Sequence, residues 1–491
     1  MSGIAGVLSS ENQDLIETIL QKLEHRGDSR YQIWKGPAAA LGTIAYTRLG
    51  EKPGPVHTSR NERAIVLDGR LTNPEPVLEN LEFHAVREGT DAEISLHGYE
   101  EFGTRVFGRL EGEFALGIVS GESFLLARDR LGVRPLYYGF KNGTMCFASE
   151  IKALVDIVDQ VHEFPPGNFL LSDHGMYDYQ PYFPKPIYLD GAQQSALQLT
   201  DHLRNAVQRA IPDGAEVGVW LSGGVDSSVI AALARPFVDR LYTFSAGIEG
   251  APDLEYASQV AQFIGAEHYE YIYQLEEMQS ALEKVIYHLE SFDAPLVHSA
   301  VSNFFVSRLA SEYVPFVLSG EGGDELFAGY SYQKSYSSEV ELTLSIQDAI
   351  AALHNTALQR VDRCATANST GVAVPFLDPD VVRYALAIPA RWKIRGPQGM
   401  EKWPLRQSLV DALPDEVIWR GKSKFWEGSG SGEKLSNFAE VKISDEEYAA
   451  ERDLGIEGQL NSKEELLYYR IFKEYFGDSI PLSEVGRTQY I

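Results

Sequence analysis

Residues 221–228 read LSGGVDSS, and this stretch decides the fold of the larger part of the chain. The apolar run EVGVW precedes it, and the helix-forming run VDSSVIAALAR continues from it. A buried strand that ends in small residues and opens a helix presents bare backbone N–H groups and the positive end of the helix dipole. The stretch therefore predicts an anion-binding turn. It is not a Walker A loop, because no Gly-Lys-Ser/Thr follows.

A second loop of the same kind, LSGEGGDELFAGY (318–330), also follows an apolar run. In an open parallel sheet the loops at the carboxyl ends of the strands share one crevice, so the two loops are predicted to face each other. Asp226 and Asp324 would then hold Mg²⁺ beside a bound phosphate, with Glu321 three residues before Asp324. Taken singly, the first loop is also compatible with a ligand-free glycine turn and the second with a solvated acidic turn.

Two lysines are candidates for stabilising phosphate charge. Lys402 lies in GMEKWPLR, and Lys422 lies in the glycine- and aromatic-rich stretch WRGKSKFWEGSGSG. A bound phosphate group carries negative charge, which fixed cations stabilise. The same spacing is equally compatible with two surface lysines.

The predicted secondary-structure pattern changes near residue 190. Before it, short β-type segments alternate with turns, and Asn142-Gly143 gives a strong hairpin signal. After it, strands, small-residue loops and helices alternate, which indicates a parallel sheet. The Pro- and Tyr-rich stretch YQPYFPKPIYLDG separates the two patterns. We therefore predict one domain over 1–190 and a second over 195–491.

Near the C-terminus, SKEELLYYRIFKEYFG (462–477) predicts a helix. Ser462 and Glu465 have the spacing of a capping box. Leu467, Ile471 and Tyr475 share one face at helical spacing, and Gly477 is expected to end the helix.

Composition excludes several classes of function. The chain has 491 residues, 44% of them apolar, and a net charge of −27, which argues against a nucleic-acid partner. Neither a membrane span nor a signal peptide is apparent in the sequence. The two cysteines, Cys146 and Cys364, have no metal-ligand spacing and fit a reducing compartment. We expect a cytoplasmic protein without a membrane or nucleic-acid partner.

The loops resemble those of the asparagine synthetase family of the glutamine-hydrolysing type, whose PP-loop domain splits ATP between its α- and β-phosphates. FSAGIEGAPDL, VPFLD and WRGKSKF occur in the family's order. HRGDSR, LARDRLGVRPLYYG, FASEIKAL and EFPPG resemble its glutaminase domain. The resemblance implies an α+β N-terminal domain, an Ntn-hydrolase-like sandwich with αββα layers. It implies that an α/β PP-loop domain of the adenine nucleotide α-hydrolase-like type follows.

The resemblance also implies a two-step reaction with ATP and Mg²⁺. A carboxylate attacks the α-phosphorus of ATP, giving an acyl-adenylate and pyrophosphate, and ammonia then displaces AMP. Glu321 would act as the base in the ammonia step. The β-lactam-forming relatives have a tyrosine at this position, so Glu321 favours the amide-forming branch. The implied residues are Ser222, Gly223, Gly224, Asp226 and Ser227 for pyrophosphate, Asp226 and Asp324 for Mg²⁺, Leu221, Ala246, Ser319 and Gly320 for the nucleotide, and Lys402 and Lys422 for phosphate charge.

The glutamine site departs from the family pattern. Ser2 stands where working glutaminases of the family have the nucleophilic cysteine, and Asp68, next to Gly69, stands where they have the oxyanion-hole asparagine. A serine hydroxyl is a weaker nucleophile than a thiolate, and a carboxylate repels a developing oxyanion. Arg48 and Asp91 still match the positions that hold the charged ends of glutamine. We predict that glutamine hydrolysis is lost and that free ammonia or another amine is the nucleophile.

The acceptor site departs as well. Pro295, Leu296 and His298 stand where bacterial asparagine synthetases have Thr, Thr and Arg, and Gly371 and Ala373 stand where relatives have Glu and Arg. The loss of cations weakens the case for aspartate as the acceptor. His298 either engages a carboxylate or is a structural histidine, and the sequence leaves both open.

Three functions remain open at this point. The leading one is an ammonia-using amide ligase with aspartate as its carboxylate. The second is the same adenylation chemistry on another carboxylate or amine, such as a metabolite or a peptide. The third is a regulatory homologue without catalysis, against which the intact phosphate and Mg²⁺ residues argue. The oligomeric state is also open, a homodimer included.

Overall fold

The computed structural model describes residues 2–52, 54–57, 63–84, 86–179, 191–395, 399–410, 412–421, 428–455 and 458–488. Its contacts divide the chain into two compact units, Met1–Tyr182 with Tyr475–Val485, and Phe183–Glu474 with Gly486–Ile491. Among the described residues, no helix has both the length and the apolarity that crossing a bilayer requires.

Residues 475–485 belong to the first unit and not, as the predicted boundaries have it, to the second. The physical reason is a set of hydrogen bonds to residues 161–163. The backbone N–H of Val161 donates to the carbonyl of Ser479 (2.8 Å), and that of Glu163 donates to Glu484 Oε2 (2.7 Å). His162 Nδ1 lies 2.6 Å from Glu484 Oε1.

The first unit contains two six-stranded antiparallel sheets, ordered β10-β8-β9-β1-β3-β2 and β12-β11-β7-β6-β5-β4. Its strands are β1 Gly3–Leu8, β2 Gln32–Lys35, β3 Ala40–Ile44, β4 Val56–His57, β5 Arg63–Leu71, β6 Gly112–Ser120, β7 Ser123–Arg128, β8 Tyr137–Lys141, β9 Thr144–Ala148, β10 Val161–Glu163, β11 Asn168–Leu171 and β12 Gly175–Asp178. Its helices are α1 Leu15–Gln21, α2 Glu75–Leu78 and α3 Asp91–Phe102.

The apolar residues of β5 show how the two sheets and the helices form layers. Ala64 and Val66 join a core shared with the other sheet, whereas Ile65 points to the opposite side and joins the core beneath α3. Side chains of a strand alternate between its two faces, so one apolar strand serves both cores. Helix α1 packs on β1 and β3. The predicted αββα sandwich is confirmed.

The hairpin predicted at Asn142-Gly143 is present between β8 and β9, where Lys141 pairs with Thr144. Both turn residues have positive φ, 51° and 79°. This is the geometry that two-residue hairpin loops favour and that Asn-Gly adopts at little cost.

The second unit is built on a five-stranded parallel sheet with the order β15-β14-β13-β16-β17. From central β13 the chain first builds outward through β14 and β15, then returns to the other side of β13 as β16. The order therefore reverses between β13 and β16, which is the point where open parallel sheets bind ligands. The strands are β13 Val217–Trp220, β14 Leu241–Gly247, β15 Glu267–Ile272, β16 Phe316–Leu318 and β17 Gly371–Ala373.

Helices connect these strands and extend the unit beyond them. They are α4 Ala192–Ala210, α5 Val225–Ala234, α6 Pro252–Ile264, α7 Leu275–Leu289, α8 Ala294–Ser311, α9 Gly323–Leu326, α10 Glu339–Ala351, α11 Ala357–Thr366, α12 Pro379–Ala387, α13 Ala390–Lys393, α14 Trp403–Gln407, α15 Asp415–Ile418, α16 Ser431–Lys442, α17 Asp445–Glu451 and α18 Lys463–Phe476.

Candidate active site

The two glycine-containing loops meet at the carboxyl ends of β13 and β16. β13 runs through residues 221–224 into α5, and β16 runs through residues 319–322 into α9. A Cβ added at Gly320 would lie only 2.6 Å from the backbone nitrogen of Ser227, so the loops approach as closely as glycine allows. The loops face each other as the sequence predicts.

The first loop is held in shape by its own hydroxyl groups. The backbone N–H of Ser222 donates to Ser227 Oγ (3.1 Å), and that of Gly224 donates to Ser222 Oγ (3.3 Å). Gly223 has φ +69°, a conformation that costs other residues energy. Gly224 then begins α5, whose first turn carries the partial positive charge that favours an anion.

Lys402 links the two loops through their aspartates. Its ammonium group contacts Asp226 Oδ2 and lies 2.7 Å from Asp324 Oδ1. Burial alone would lower the pKa of Lys402, but the charges of Asp226 and Asp324 outweigh it, and the pKa is raised above its ordinary value. The lysine is therefore a permanent cation between two carboxylates, and it is buried.

Glu321 belongs to a chain of polar contacts that the sequence does not reveal. Arg360 Nη2 donates to Glu321 Oε2 (2.7 Å), and Arg360 Nη1 donates to Asn303 Oδ1 (2.6 Å). Asn303 lies inside α8 and Arg360 inside α11, far from any glycine-rich motif. Their polar side chains in otherwise buried helix faces are the one signal that could have indicated them.

A second acid–base pair lies beside the first loop. Arg420 Nη2 donates to Asp253 Oδ1 (2.6 Å), and the Arg420 guanidinium stacks over the ring of Tyr256 at 4.1 Å. Burial raises the pKa of Asp253 to about 6, although Arg420 opposes this. Lys422, two residues beyond Arg420, lies outside the described residues, so its predicted role stays a prediction.

The loops enclose a cleft at this edge of the sheet. Besides Lys402, the basic side chains Arg360, Arg406 and Arg420 contribute to its lining, each within 2.6–2.8 Å of a carboxylate oxygen. The basic groups of the cleft are therefore held in place by carboxylates. Of the predicted residues, those that line it are Leu221, Ser222, Gly224, Asp226, Ser227, Ala246, Ser319, Gly320, Glu321, Asp324 and Lys402.

Family models match both units. One described as Asparagine synthase matches residues 198–349 and 336–482, more than half of the chain, and one described as Glutamine amidotransferase domain matches residues 1–182. The chain belongs to the asparagine synthetase family. Its two predicted fold types are thereby confirmed, and it is an enzyme of the ATP-dependent, AMP-forming carbon–nitrogen ligase class.

Several asparagine synthetases are similar over nearly the whole length. Asparagine synthetase [glutamine-hydrolyzing] 2 of Arabidopsis thaliana is 31% identical, covering 98% of this chain and 88% of the relative. Asparagine synthetase B [glutamine-hydrolyzing] of Escherichia coli (strain K12) is 30% identical, covering 97% and 91%. Asparagine synthetase [glutamine-hydrolyzing] 2 of Oryza sativa subsp. japonica is 31% identical, covering 96% and 84%.

Within this asparagine synthetase-like chain, His298 is engaged by another side chain. Its Nε2 lies 2.5 Å from Glu464 Oε1, and the hydroxyl of Tyr468 donates to the same oxygen (2.6 Å). His298 is buried and is not among the residues that line the cleft. Of the two roles that the sequence leaves open, the structure favours the structural one.

Two carboxylates lie next to Ser2, where the sequence predicts the counterpart of the family's glutamine site. The backbone N–H of Ser2 donates to Asp68 Oδ1 (2.7 Å), and its hydroxyl donates to Glu51 Oε2 (3.3 Å). Arg26 donates to Asp68 Oδ2 (3.3 Å) and to the carbonyl of Ser2 (3.2 Å). Glu51 is a member of this group that the sequence did not indicate.

The other predicted glutamine-site residues have partners within the same unit. Asp91 Oδ2 accepts from the backbone N–H of Leu71 (2.9 Å), and burial raises the pKa of Asp91. The Arg48 side chain is 72% exposed and lies 3.7 Å from Asp28. Gly69 follows Asp68 on β5.

Proposed function

We propose that this chain is an ATP-dependent amide ligase that adenylates a carboxylate, aspartate being the first candidate, and then transfers ammonia to it. The acyl-adenylate forms with release of pyrophosphate, and attack by ammonia gives the amide and AMP. The observation that carries the proposal is the meeting of Asp226, Asp324 and Lys402 at the reversal point of a parallel sheet. This brings an anion-binding helix start, a fixed cation and two acidic ligands into one cleft.

In the first step, different residues bind the phosphates, contact the nucleotide and stabilise the developing charge. The backbone of residues 222–224 and the start of α5 bind phosphate oxygens, while Leu221, Ala246 and Ser319 pack around the nucleotide. Lys402 stabilises the charge that develops as the bond to pyrophosphate breaks. Its ammonium group is fixed in advance by the two aspartates, so little reorganisation is needed.

The donor set of Asp226 and Asp324 fits Mg²⁺. The carboxylates already hold one cation, the Lys402 ammonium group, between them, and carboxylate oxygens beside phosphates are the usual ligands of this ion. Asp226 and Asp324 would hold Mg²⁺, and when bound it would neutralise charge on the phosphates.

Glu321 is proposed as the base that takes a proton from ammonia in the second step. Arg360 fixes one of its carboxylate oxygens, which orients the group toward the cleft that both residues line. A positioned carboxylate can accept the proton released when the amide bond forms.

We further propose that ammonia is supplied free and not by glutamine hydrolysis in this chain. Asp68 and Glu51 both contact Ser2, so two carboxylates would oppose the oxyanion of a tetrahedral intermediate. The serine hydroxyl also lacks the low pKa of a catalytic thiol.

Pyrophosphate exchange into ATP, measured across a panel of carboxylates, tests the first step. Exchange that depends on aspartate supports the leading proposal. Exchange with another acid alone supports the alternative, which the loss of the family's arginines at His298 and Ala373 favours. Exchange with none would contradict the adenylation proposal.

A second assay follows AMP release with either ammonium or glutamine as the nitrogen source. We expect turnover with ammonium and none with glutamine once contaminating ammonia has been removed. Ser2→Ala should leave the ammonium-driven rate unchanged. Glutamine-driven turnover that is lost in Ser2→Ala would refute the proposed loss of hydrolysis.

A further inference from the structure

A cluster of imidazole and carboxylate groups lies on α3 of the first unit. His97 and Glu100 project from neighbouring turns of α3, and His84 comes from the segment that precedes it. His97 Nδ1 lies 2.8 Å from Glu100 Oε2, and His84 Nε2 lies 3.3 Å from the same oxygen. One ligand atom from each of the three residues lies within 4.8 Å of the other two. None of the three has a role in the proposed ligase reaction.

The second nitrogen of each imidazole also faces a carboxylate. His84 Nδ1 lies 3.2 Å from Glu101 Oε2, and His97 Nε2 lies 3.8 Å from Glu93 Oε1. Histidines that bind metals usually donate their outer N–H to such a carboxylate, which fixes the tautomer and leaves the inner nitrogen as an electron-pair donor. The ring of His84 is arranged in this way, whereas His97 Nε2 faces Glu93 at a distance too long for a hydrogen bond.

The outer carboxylates are themselves held by backbone groups. Glu93 accepts from the N–H groups of Arg87, Glu88 and Gly89 at 2.8–2.9 Å, so the segment carrying His84 is tied to α3. Arg63 donates to the other oxygen of Glu100 (2.9 Å). Burial would raise the pKa of Glu100, but hydrogen bonds from His97 and Arg63 outweigh it, and the pKa lies below its ordinary value.

We propose that His84, His97 and Glu100 form a binding site for a divalent transition-metal ion, with Zn²⁺ the ion that this donor set favours. Two imidazole nitrogens and one carboxylate oxygen suit Zn²⁺, whereas Mg²⁺ prefers oxygen ligands throughout. Ligands at about 2.1 Å in a tetrahedron are separated by about 3.4 Å. The 3.3 Å between His84 Nε2 and Glu100 Oε2 matches this spacing, and the 2.8 Å contact of His97 Nδ1 would lengthen when the ion binds. The two histidine side chains are 27% and 18% exposed, so a water molecule can complete the coordination.

The experiment uses the full-length protein, freed of metal by a chelator and then titrated with Zn²⁺ in excess Mg²⁺. We expect one tight Zn²⁺ site per chain that Mg²⁺ does not displace. The double variant His84→Gln/His97→Gln should weaken Zn²⁺ binding by at least about 100-fold. The matched control His174→Gln, an exposed histidine in the same unit, should bind like the wild type.

A second readout separates metal coordination from loss of structure. Co²⁺ bound at the site should give the visible absorption of a four-coordinate ion, and Glu100→Gln should change that spectrum while circular dichroism stays that of the folded protein. Wild-type binding no tighter than that of the double variant, or a spectrum unaffected by Glu100→Gln, would overturn the proposal. Neither measurement depends on ligase activity, so failure of the proposed function would leave this test intact.

Discussion

At the level of single residues, the centre of the candidate active site is one lysine shared by two carboxylates. The ammonium group of Lys402 touches Asp226 and Asp324, which lie almost one hundred positions apart in the chain. Removing one carboxylate would change the proposed Mg²⁺ ligand set and the position of the lysine together. The effect on chemistry should therefore exceed that on stability.

We expect Asp324→Asn to lower the rate of pyrophosphate exchange by at least about 100-fold, because one oxygen ligand and one charge are lost where charge develops. The exposed Asp239→Asn is the matched control and should exchange at the wild-type rate. Thermal unfolding of both variants should stay near that of the wild type. An Asp324→Asn protein with normal exchange would remove this residue from the site.

The contiguous part of the site could be predicted from the sequence, because each glycine-containing loop carries its own strand and helix signals. Arg360, Asn303 and the Asp253–Arg420 pair could not, because segments from distant parts of the chain bring them to the cleft. His298 shows the same limit. Its partner Glu464 is 166 positions away, and no local pattern connects the two.

At the level of elements, the turn from β13 into α5 depends on a backbone that an ordinary side chain cannot occupy. A Cβ at Gly223 would lie 2.4 Å from Tyr256 Cβ, in addition to the strain of its positive φ. Gly214 has nearly the same φ, +71°, but nothing within 4 Å of a Cβ placed there. Substitutions at the two glycines therefore distinguish the effect of a steric clash, present only at Gly223, from that of backbone strain, present at both.

Gly223→Ala should destabilise the protein by several kcal/mol and abolish pyrophosphate exchange, because the loop must move away from α6. Gly214→Ala should lower the free energy of unfolding by only about 1–2 kcal/mol, which is the strain of an alanine in the left-handed conformation. It should keep the exchange activity. Chemical denaturation and the exchange assay measure the two effects. Equal destabilisation of both variants would show that contact with Tyr256 is unimportant.

The short helix α13 buries the amine of Lys393, which donates to the carbonyl of Leu326 (2.7 Å). Burial lowers the pKa of Lys393 to about 7. Between that value and the ordinary lysine pKa near 10.5, the unfolded chain binds a proton that the folded protein does not. Folding is therefore favoured as the pH rises through this window, and the contribution is lost as the pH falls toward 7.

Relative to Lys393→Met, the wild type should gain unfolding free energy from about pH 7.5 to pH 9.5, by roughly 1 kcal/mol per unit. Denaturant titrations of both proteins across this range measure the difference. Lys434→Met, at an exposed lysine, should show no such trend. A difference between wild type and Lys393→Met that is independent of pH would contradict a neutral buried amine.

The helix α18 illustrates where sequence periodicity gives the element but not its orientation. The helix is present as predicted, and the Glu465 N–H donates to Ser462 Oγ (3.0 Å), which is one half of the predicted capping box. The Glu465 carboxylate accepts instead from the N–H of Asn461. The face shared by Leu467, Ile471 and Tyr475 is not the buried one, because Tyr475 is 42% exposed. The neighbouring face of the helix is buried instead. Its aromatic rings pack in the core, and its glutamate contacts His298 and Tyr468. This face consists of Glu464, Tyr468, Phe472 and Phe476.

At the level of the whole molecule, the two-unit plan and the sheet types follow from patterns in the sequence, whereas the assignment of residues 475–485 does not. Hydrophobic alternation and turn residues act locally, so they predict β-rich and α/β halves. The bonds of Glu484 to His162 and Glu163 join positions more than three hundred residues apart, which no local pattern encodes.

Glu484→Ala should lower the free energy of unfolding of the first unit by about 1–3 kcal/mol, because the N–H of Glu163 and the ring of His162 lose their acceptor. Hydrogen exchange of a peptide covering residues 161–163 should become faster. Glu474→Ala, an exposed glutamate on the preceding helix, is the control and should leave this exchange unchanged. Protection that is equal in both variants would show that the bond contributes nothing.

Because residues 475–485 belong to the first unit, part of that unit can form its contacts only late in synthesis. His162 leaves the ribosome 322 positions before Glu484, so the nascent N-terminal sandwich remains without this edge contact until Glu484 has been translated. Its maturation is thereby coupled to completion of the ligase domain. A prematurely terminated product would carry a defect in the part of the protein that was made first.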